Sequence, residues 1–362
     1  MTRLPLALAL LASTVFAENG VVIDFQKVLR ESNYGYRARE NAEKRTKDKS
    51  AEEKKKAEAE EYAKVYELAL PLLVDWGKRQ KLDFVFLTER GVVHADSFLT
   101  YYVTKNFIET LNRHSRDPKT TFDDKQTTLD RWELRAAVMN VAAVFEYSNA
   151  GKAARASAQE QFKKAQAELD KLQGEAKELG QKLEAEKKGT EEYEKANGAL
   201  ADKMRSLMTI KQMREYELEF FRKKSIEEVI EATRKAAATL ASAQGFNLVL
   251  DAEDARVVAR APALEITQAV IEALNNPEAA AAKKKTTPTQ KPTTIATIGF
   301  RQLWGQLQKA DPKAEPGTVI PQQGAKFAES AGLQLILDEE ILVYANSARS
   351  RTAEFGKKLS GE

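Results

Sequence analysis

The order of apolar and polar positions along the chain predicts the same elements three times. Short apolar runs rich in β-branched residues predict strands at 21–25, 138–144 and 295–300. Later in each segment, two apolar runs flank a turn and predict β-hairpins at 84–95, 246–259 and 333–344. A short closing helix follows the hairpin in the first two segments. Long helical patterns lie between strand and hairpin in the first two segments.

The first two segments also share residues at a constant spacing of 116. The shared residues of the first segment are Val22, Val28, Ser32, Asn33, Gly35 and Arg39, and those of the second are Val138, Val144, Ser148, Asn149, Gly151 and Arg155. The closing helices match too, 108–112 with 271–275, and a fainter third copy runs from 297 to about Thr352. We therefore predict one unit that is used three times.

The first helical insert is short. Ser50 and Glu53 have the spacing of a capping box, which predicts a helix from Ser50 toward Lys78. Pro71 lies inside this helix and is expected to kink or split it. The insert therefore predicts a short helical arm.

The second helical insert is long. Helical sequence from Asn149 to Lys188 and a return helix capped by Thr190 predict an antiparallel coiled coil. Its apolar positions alternate in steps of three and four and are Phe162, Ala165, Leu169, Leu172, Ala176, Leu179 and Leu183. In the third segment, prolines and glycines between 312 and 324 predict that the arm is missing.

These patterns predict an α+β fold, with a small pseudo-threefold β body formed by three repeats, one long coiled-coil hairpin arm and one short arm. The boundaries follow the composition. We predict a signal peptide at 1–17, repeat 1 with the short arm at 18–112, a linker at 113–133, repeat 2 with the long arm at 134–275, a disordered linker at 276–294, and repeat 3 without an arm at 295–362.

Composition and charge exclude several classes of function. Arg3, the apolar run after it and Ala17 predict a signal peptide cleaved after Ala17, and hence an exported, periplasmic protein. Loss of Arg3 lowers the net charge from +3 to +2, which opposes a nucleic-acid partner. With no Cys, two His and no phosphate-binding loop, the sequence predicts no metal site, no cofactor and no enzyme.

Two charged features have alternative interpretations. Acidic residues occupy the hairpin turns at 251–254 and 338–340, where a calcium or acid/base site competes with the favoured interpretation of simple turns. The basic cluster Lys283–Lys285 could contact an anionic membrane surface or nucleic acid, although such short runs are more often solvated.

Apolar residues on the return helix exceed what one coiled-coil interface needs. Flexible Met and aromatic side chains suit varied apolar partners, so Met204, Met208, Met213 and Tyr216 are candidate binding residues. The alternative interpretation is that these side chains pack at the base of the arm. For the three Met residues the two interpretations are equally favoured, whereas for Phe220 and Phe221 packing is favoured.

The order of strand, helical hairpin, β-hairpin and closing helix resembles the Skp/OmpH-like periplasmic chaperones. The residues that carry the resemblance lie at 22–29, 245–251 and 265–275. The resemblance implies a β-barrel body with helical arms that enclose unfolded outer-membrane proteins. Members of the family are typically one-unit chains that assemble as trimers, whereas this chain has three units with unequal arms.

We therefore expect a monomer that acts as a single-chain pseudo-trimer. The expected function is that of an ATP-independent holdase, which binds unfolded outer-membrane or envelope proteins. The alternative is a structural coiled-coil scaffold or adaptor for one specific envelope partner.

Overall fold

The structure is a computed structural model, and it divides the chain into two compact units. It describes residues 19–95, 98–117, 133–185, 187–188, 190–254, 256–277, 293–310, 312–313, 315–342, 344–345 and 350–360. The predicted signal peptide, most of both predicted linkers and the basic cluster Lys283–Lys285 lie outside these residues. The first unit comprises residues 1–140, 237–266 and 283–362, and the second comprises residues 141–236 and 267–282.

The first unit contains three small sheets of three strands each in its described residues. The strands are β1 (Gly20–Ile23), β2 (Phe84–Leu87), β3 (Val92–Ala95), β4 (Ala136–Met139), β5 (Leu248–Asp251), β6 (Val257–Arg260), β7 (Ile295–Ile298), β8 (Leu335–Asp338) and β9 (Tyr344–Ala345). The sheet orders are β1-β2-β9, β3-β5-β4 and β6-β8-β7. In each sheet the middle strand is buried along its whole length.

All three sheets follow one pairing rule. The first strand of a segment pairs in parallel with the second strand of the same segment, as β1 does with β2, β4 with β5, and β7 with β8. The free edge of the second strand then pairs antiparallel with a strand from another segment. These pairs are β3 with β5, β6 with β8, and β9 with β2. The strand pairing therefore forms a closed cycle through the three segments.

The predicted β-hairpins are wrong. The two apolar runs at 84–95 do form strands, but β2 and β3 lie in different sheets, and the same holds for β5 and β6 and for β8 and β9. One edge of β2 pairs with β1 and the other with β9, so neither edge is left for β3. The turn between the strands therefore carries the chain into the next sheet.

Helices cover the sheet that begins with β1. They are α1 (Phe25–Glu31), α2 (Asn33–Arg45), α3 (Ala51–Arg79) and α4 (Val103–Arg116), with a π-helical turn at Phe98–Tyr102. The predicted capping box is confirmed, since Ser50 Oγ accepts from Glu53 N and the Glu53 carboxylate accepts from Ser50 N at 3.1 Å. Helix α3 is not split at Pro71 but continues through it.

The third segment carries more helix than predicted. Its helices are α9 (Phe300–Ala310), α10 (Pro316–Ala331) and α11 (Thr352–Ser360), packed around Leu303, Ile320, Phe327 and Phe355. Both α9 and α10 are short, so the third segment has no long helical hairpin in its described residues. Pro316 lies in the first turn of α10, where its missing N–H costs nothing, and α10 continues through Pro321. Gly332 ends α10 in the left-handed region.

The second unit is helical in its described residues. It contains α5 (Val141–Tyr147), α6 (Asn149–Ala185), α8 (Thr267–Asn275) and most of α7 (Glu191–Gln244). The strand predicted at 138–144 is wrong beyond Met139, since β4 ends there and the helix α5 follows. Met139 pairs with Asp251, the last residue of β5, so β5 offers no partner for a longer strand. No helix in the described ranges combines the length and apolar character that a membrane span requires.

Matched glycines have matched surroundings. A Cβ at Gly35 would lie 1.7 Å from the carbonyl oxygen of Leu29, and one at Gly151 would lie 1.8 Å from that of Phe145. Both positions therefore require glycine, because the neighbouring helix backbone approaches too closely for any side chain.

Matched asparagines also make the same hydrogen bond. Asn33 N donates to Asn112 Oδ1 at 2.6 Å, and Asn149 N donates to Asn275 Oδ1 at 2.7 Å. In each case the closing helix of the segment is tied to the start of its arm. The spacing of 116 in the sequence thus corresponds to repeated local structure.

Candidate functional site

The long arm, defined as α6 with residues 191–236 of α7, is a helical hairpin. Ala165 and Ala176 are buried and the four leucines of the predicted coiled-coil interface are half-buried, as its spacing predicts. Phe162 departs from the pattern, with 57% of its surface exposed. Thr190 caps the return helix as predicted, its Oγ1 accepting from Tyr193 N at 3.3 Å.

Ion pairs join the two helices of the arm. Arg214 on α7 lies 2.8 Å from the Glu168 carboxylate on α6 and 2.5 Å from that of Glu217. Hydrogen bonds to Glu168 and then Glu217 raise the pKa of Arg214. Lys203 pairs with Glu175 in the same way and lowers the pKa of that carboxyl by its hydrogen bond. Charged pairs therefore supplement a thin apolar interface.

The candidate binding residues point away from this interface. Met204 is 46% exposed, Met208 68%, Met213 47% and Tyr216 72%. Phe220 is 61% exposed as well, because the helix turns this side chain away from α6.

These apolar residues form two groups rather than one. At about 100° per residue, Met204 and Met208 lie roughly 40° apart on α7, and Met213, Tyr216 and Phe220 lie within about 60° of one another. We call the first group the methionine pair and the second the aromatic patch. Their centres are roughly 130° apart around the helix.

The half-buried Leu207, Ile210 and Leu218 mark the side of α7 that faces α6. The methionine pair and the aromatic patch therefore flank the interface on opposite sides. A helical wheel could have found this division from the sequence, once the interface residues were known.

Two open clefts lie between α6 and α7, and the sequence did not predict them. The larger has a volume of about 540 Å³, and small residues of α6, Ala150, Ala153 and Ala154, face Phe221 and Val229 across it. The smaller has about 370 Å³ and contains the Arg214–Glu168 ion pair. The signal that could have predicted the larger cleft is the run of small residues on α6.

The acidic turns and possible metal ligands can be checked in the described part of the chain. No group of His, Asp and Glu there could hold a metal ion. Asp251 Oδ1 accepts from Glu253 N, and Asp338 Oδ1 accepts from Glu340 N, each at 3.2 Å. Both aspartates thus cap their own turns, as the favoured interpretation predicted, although they are buried rather than solvated.

Comparison with known families gives a match in the segment that bears the long arm. Residues 135–274 match the family model described as "Outer membrane protein (OmpH-like)". This segment is similar to OmpH-like domains, and we call it the OmpH-like domain. The matched residues run from β4 through both arm helices to α8, which is less than half of the chain.

Among solved structures, one from Caulobacter crescentus CB15 is provisionally assigned as an outer membrane chaperone (OmpH-like). It is 23% identical, and the match covers 46% of this chain and 96% of that one, with a TM-score of 0.37. That score is too low to establish a common fold, so the assignment of the OmpH-like domain depends on the family model. No curated protein matches the chain.

Proposed function

We propose that this protein is a periplasmic, ATP-independent holdase that binds unfolded outer-membrane or envelope proteins along the long arm. The observation that carries the proposal is the exposure of large apolar side chains on α7, within the OmpH-like domain. A soluble helix normally turns such residues inward, so large exposed apolar groups mark an interaction surface. Holding an unfolded chain requires weak, non-directional contacts, which Met and aromatic side chains supply.

We further propose that a single chain builds a pseudo-threefold body from three tandem repeats. In each repeat, the backbone N–H that precedes the first strand donates to a polar side chain that precedes the second strand. The three pairs are Asn19 with Asp83 at 3.0 Å, Arg135 with Asn247 at 2.8 Å, and Thr294 with Gln334 at 3.1 Å. Such threefold agreement, together with the cyclic strand pairing, supports a common unit.

The same proposal places the protein in the periplasm as a monomer, after cleavage behind Ala17. The export pattern at the N-terminus and the absence of Cys support this location. The pairs β3 with β5, β6 with β8 and β9 with β2 join the three segments within one chain, which supports a monomer. We propose no catalytic residue, no cofactor and no nucleic-acid partner.

The test measures light scattering when an outer-membrane protein is diluted from urea. The mature protein at stoichiometric amounts should suppress aggregation. The variant M213S/Y216S/F220S should suppress it several-fold less, because it removes the aromatic patch without touching the helix interface. Tyr36→Ser is the matched control, since Tyr36 is 64% exposed but lies on the short arm.

Failure of the mature protein to suppress aggregation even in excess would refute the holdase. A chain lacking residues 160–235 separates the remaining alternative, a scaffold for one partner. Loss of one specific partner with unchanged aggregation behaviour would favour the scaffold.

A further inference from the structure

The turn that follows β8 contacts arginines from all three segments. Its residue Glu340 lies between β8 and β9. Arg256 of the second segment lies 2.8 Å from the Glu340 carboxylate, and Arg301 of the third lies 3.2 Å from it. Arg90 of the first segment donates from Nη1 to the Glu340 carbonyl oxygen at 3.0 Å. We call Glu340 with these three arginines the clasp.

The matched glutamates of the other two segments make different contacts. Glu89, Glu253 and Glu340 each follow the second strand of their segment, two residues after its end. The Glu253 carboxylate accepts from Asn140 Nδ2 at 3.2 Å, and Asn140 belongs to the same segment. The Glu89 carboxylate accepts from Gln26 N at 2.9 Å, again within one segment. A contact between segments is therefore not a general property of these turns but a feature of Glu340.

Arg256 occupies a backbone position that suits glycine. The residue just before β3 is Gly91, with a φ of 71°, and the residue just before β6 is Arg256, with a φ of 41°. Both carbonyl oxygens accept the same backbone hydrogen bond, from Asp251 N at 2.7 Å and from Asp338 N at 3.3 Å. A side chain in this left-handed region costs conformational energy that glycine avoids. The backbone alone therefore favours glycine at both positions.

The side chain of Arg256 offsets this cost. Its guanidinium lies 3.2 Å from the carboxylate of Asp338, which is almost fully buried, and 2.8 Å from that of Glu340. Hydrogen bonds to Asp338 and then Glu340 raise the pKa of Arg256. A buried carboxylate that loses its cation is left uncompensated, so the contact with Asp338 contributes more than an exposed ion pair does. The ion contacts, and not the backbone, therefore account for an arginine at this position.

Arg90 extends the clasp to the core of the first segment. Its Nη2 donates to the hydroxyl oxygen of Tyr66 on α3 at 2.7 Å. The Tyr66 ring packs edge-on against Phe25, with 4.7 Å between the ring centroids, and Phe25 lies in the core beside β1. A connected set of side-chain contacts therefore runs from this core through Glu340 to Arg256 of the second segment.

We propose that the clasp couples the opening of the third segment to that of the other two, with Arg256 as the residue that contributes most. This inference depends on contacts within the first compact unit and not on the holdase function. Pairing of β6 with β8 also joins the second and third segments, and the clasp adds side-chain contacts at the end of that pair where β8 ends and β6 begins. Without the clasp, the third segment opens on its own more often, because fewer contacts with its neighbours have to break.

The test measures hydrogen exchange of the protein, peptide by peptide, by mass spectrometry. The main variant is Arg256→Gly, which removes the guanidinium but suits the left-handed backbone. It should speed exchange in β8 and α10 about tenfold, and leave exchange in α1 and β4 within about twofold of the natural chain. If relief of backbone strain outweighed the lost ion contacts, the same variant would slow exchange in β8. The sign of the change therefore separates the two effects.

The matched control is Glu253→Ala, which removes the equivalent carboxylate where it contacts its own segment, and which should leave exchange in the third segment within about twofold of the natural chain. Glu340→Ala should act like Arg256→Gly but more weakly, because the contact between Arg256 and Asp338 remains. The double variant R256G/E340A should speed exchange by less than the product of the two single factors, since both remove the same contact.

Unchanged or slower exchange of the third segment in Arg256→Gly would overturn the proposal. Equally faster exchange in all three segments would overturn it as well, because that pattern means general destabilisation. Should Arg256→Gly fail to fold, Glu340→Ala decides. Faster exchange confined to the third segment then supports the clasp, and any other pattern refutes it.

Discussion

Both arms of this protein are helical hairpins, but they differ in where their apolar side chains lie. The short arm, α2 with α3, buries Ala38, Ala42 and Val65 between its helices, and Leu73 lies fully buried at its base. The long arm has half-buried leucines inside and carries the methionine pair and the aromatic patch outside. The difference shows that one supersecondary unit can either bury its apolar residues in a core or leave them exposed, depending on where those residues lie.

The largest difference between the two arms should be the loss of stability when a leucine is replaced by alanine. Leu73→Ala in the short arm should lower the free energy of unfolding by about 3–5 kcal/mol, because a fully buried leucine leaves a cavity. Leu172→Ala in the long arm should cost only about 1 kcal/mol, because Leu172 is half-buried. Urea unfolding measures both, and equal losses would contradict the distinction between the arms.

Replacing glycine by alanine should have opposite effects on the stability of the two arms. Gly35→Ala at the start of the short arm should destabilise by about 2–3 kcal/mol, because its Cβ would overlap the Leu29 carbonyl oxygen. Gly174→Ala in the long arm should stabilise its helix by about 1 kcal/mol, since nothing lies within 4 Å of the added Cβ. Thermal melts report both, and a destabilising Gly174→Ala would mean that the arm packs more tightly than its exposure indicates.

The methionine pair and the aromatic patch of α7 should contribute separately to the binding of unfolded clients. The variant M204S/M208S should weaken client binding a few-fold, and M213S/Y216S/F220S about tenfold, because the aromatic patch offers more apolar area. Since the two groups lie on opposite flanks, their effects on the binding free energy should add. Fluorescence titration with an unfolded client gives the dissociation constants. Strong non-additivity would indicate one continuous site.

The smallest effect should be the response to acid. Hydrogen bonds from Lys64 and Arg45 hold the pKa of Glu61 below its ordinary value of 4.5. Stability from this ion pair is therefore present above pH 4.5 and is lost as the pH falls through the lowered pKa. Hydrogen exchange of α3 against pH should show the loss, and Glu61→Gln should remove this pH dependence. The more exposed Glu175 of the long arm should respond less.

Local patterns predicted much of the fold. Spacing predicted the capping box at Ser50, the cap at Thr190 and the long helical hairpin, because these depend on residues within a few turns of one another. The same logic failed for the strand pairing. An apolar run followed by a turn and another run is typical of a hairpin, yet β2 and β3 pair with different sheets.

The candidate site was predicted in part. Met and aromatic enrichment on the return helix identified Met204, Met208, Met213 and Tyr216 from the sequence, but not which way each side chain points. Phe220 was assigned to packing and is exposed, because its orientation depends on where α6 lies against α7. The clefts between these helices depend on their separation, which periodicity does not determine.

The sequence by itself determined the helix caps and the long helical hairpin, because each follows from contacts between residues close in the chain. The tertiary structure alone decided that the third strand of each segment completes the sheet of another. The backbone groups at the edge of a strand are the same in every strand, so they do not specify which strand will pair there. The third strand of each segment therefore pairs with an edge that remains free once the first and second strands have paired.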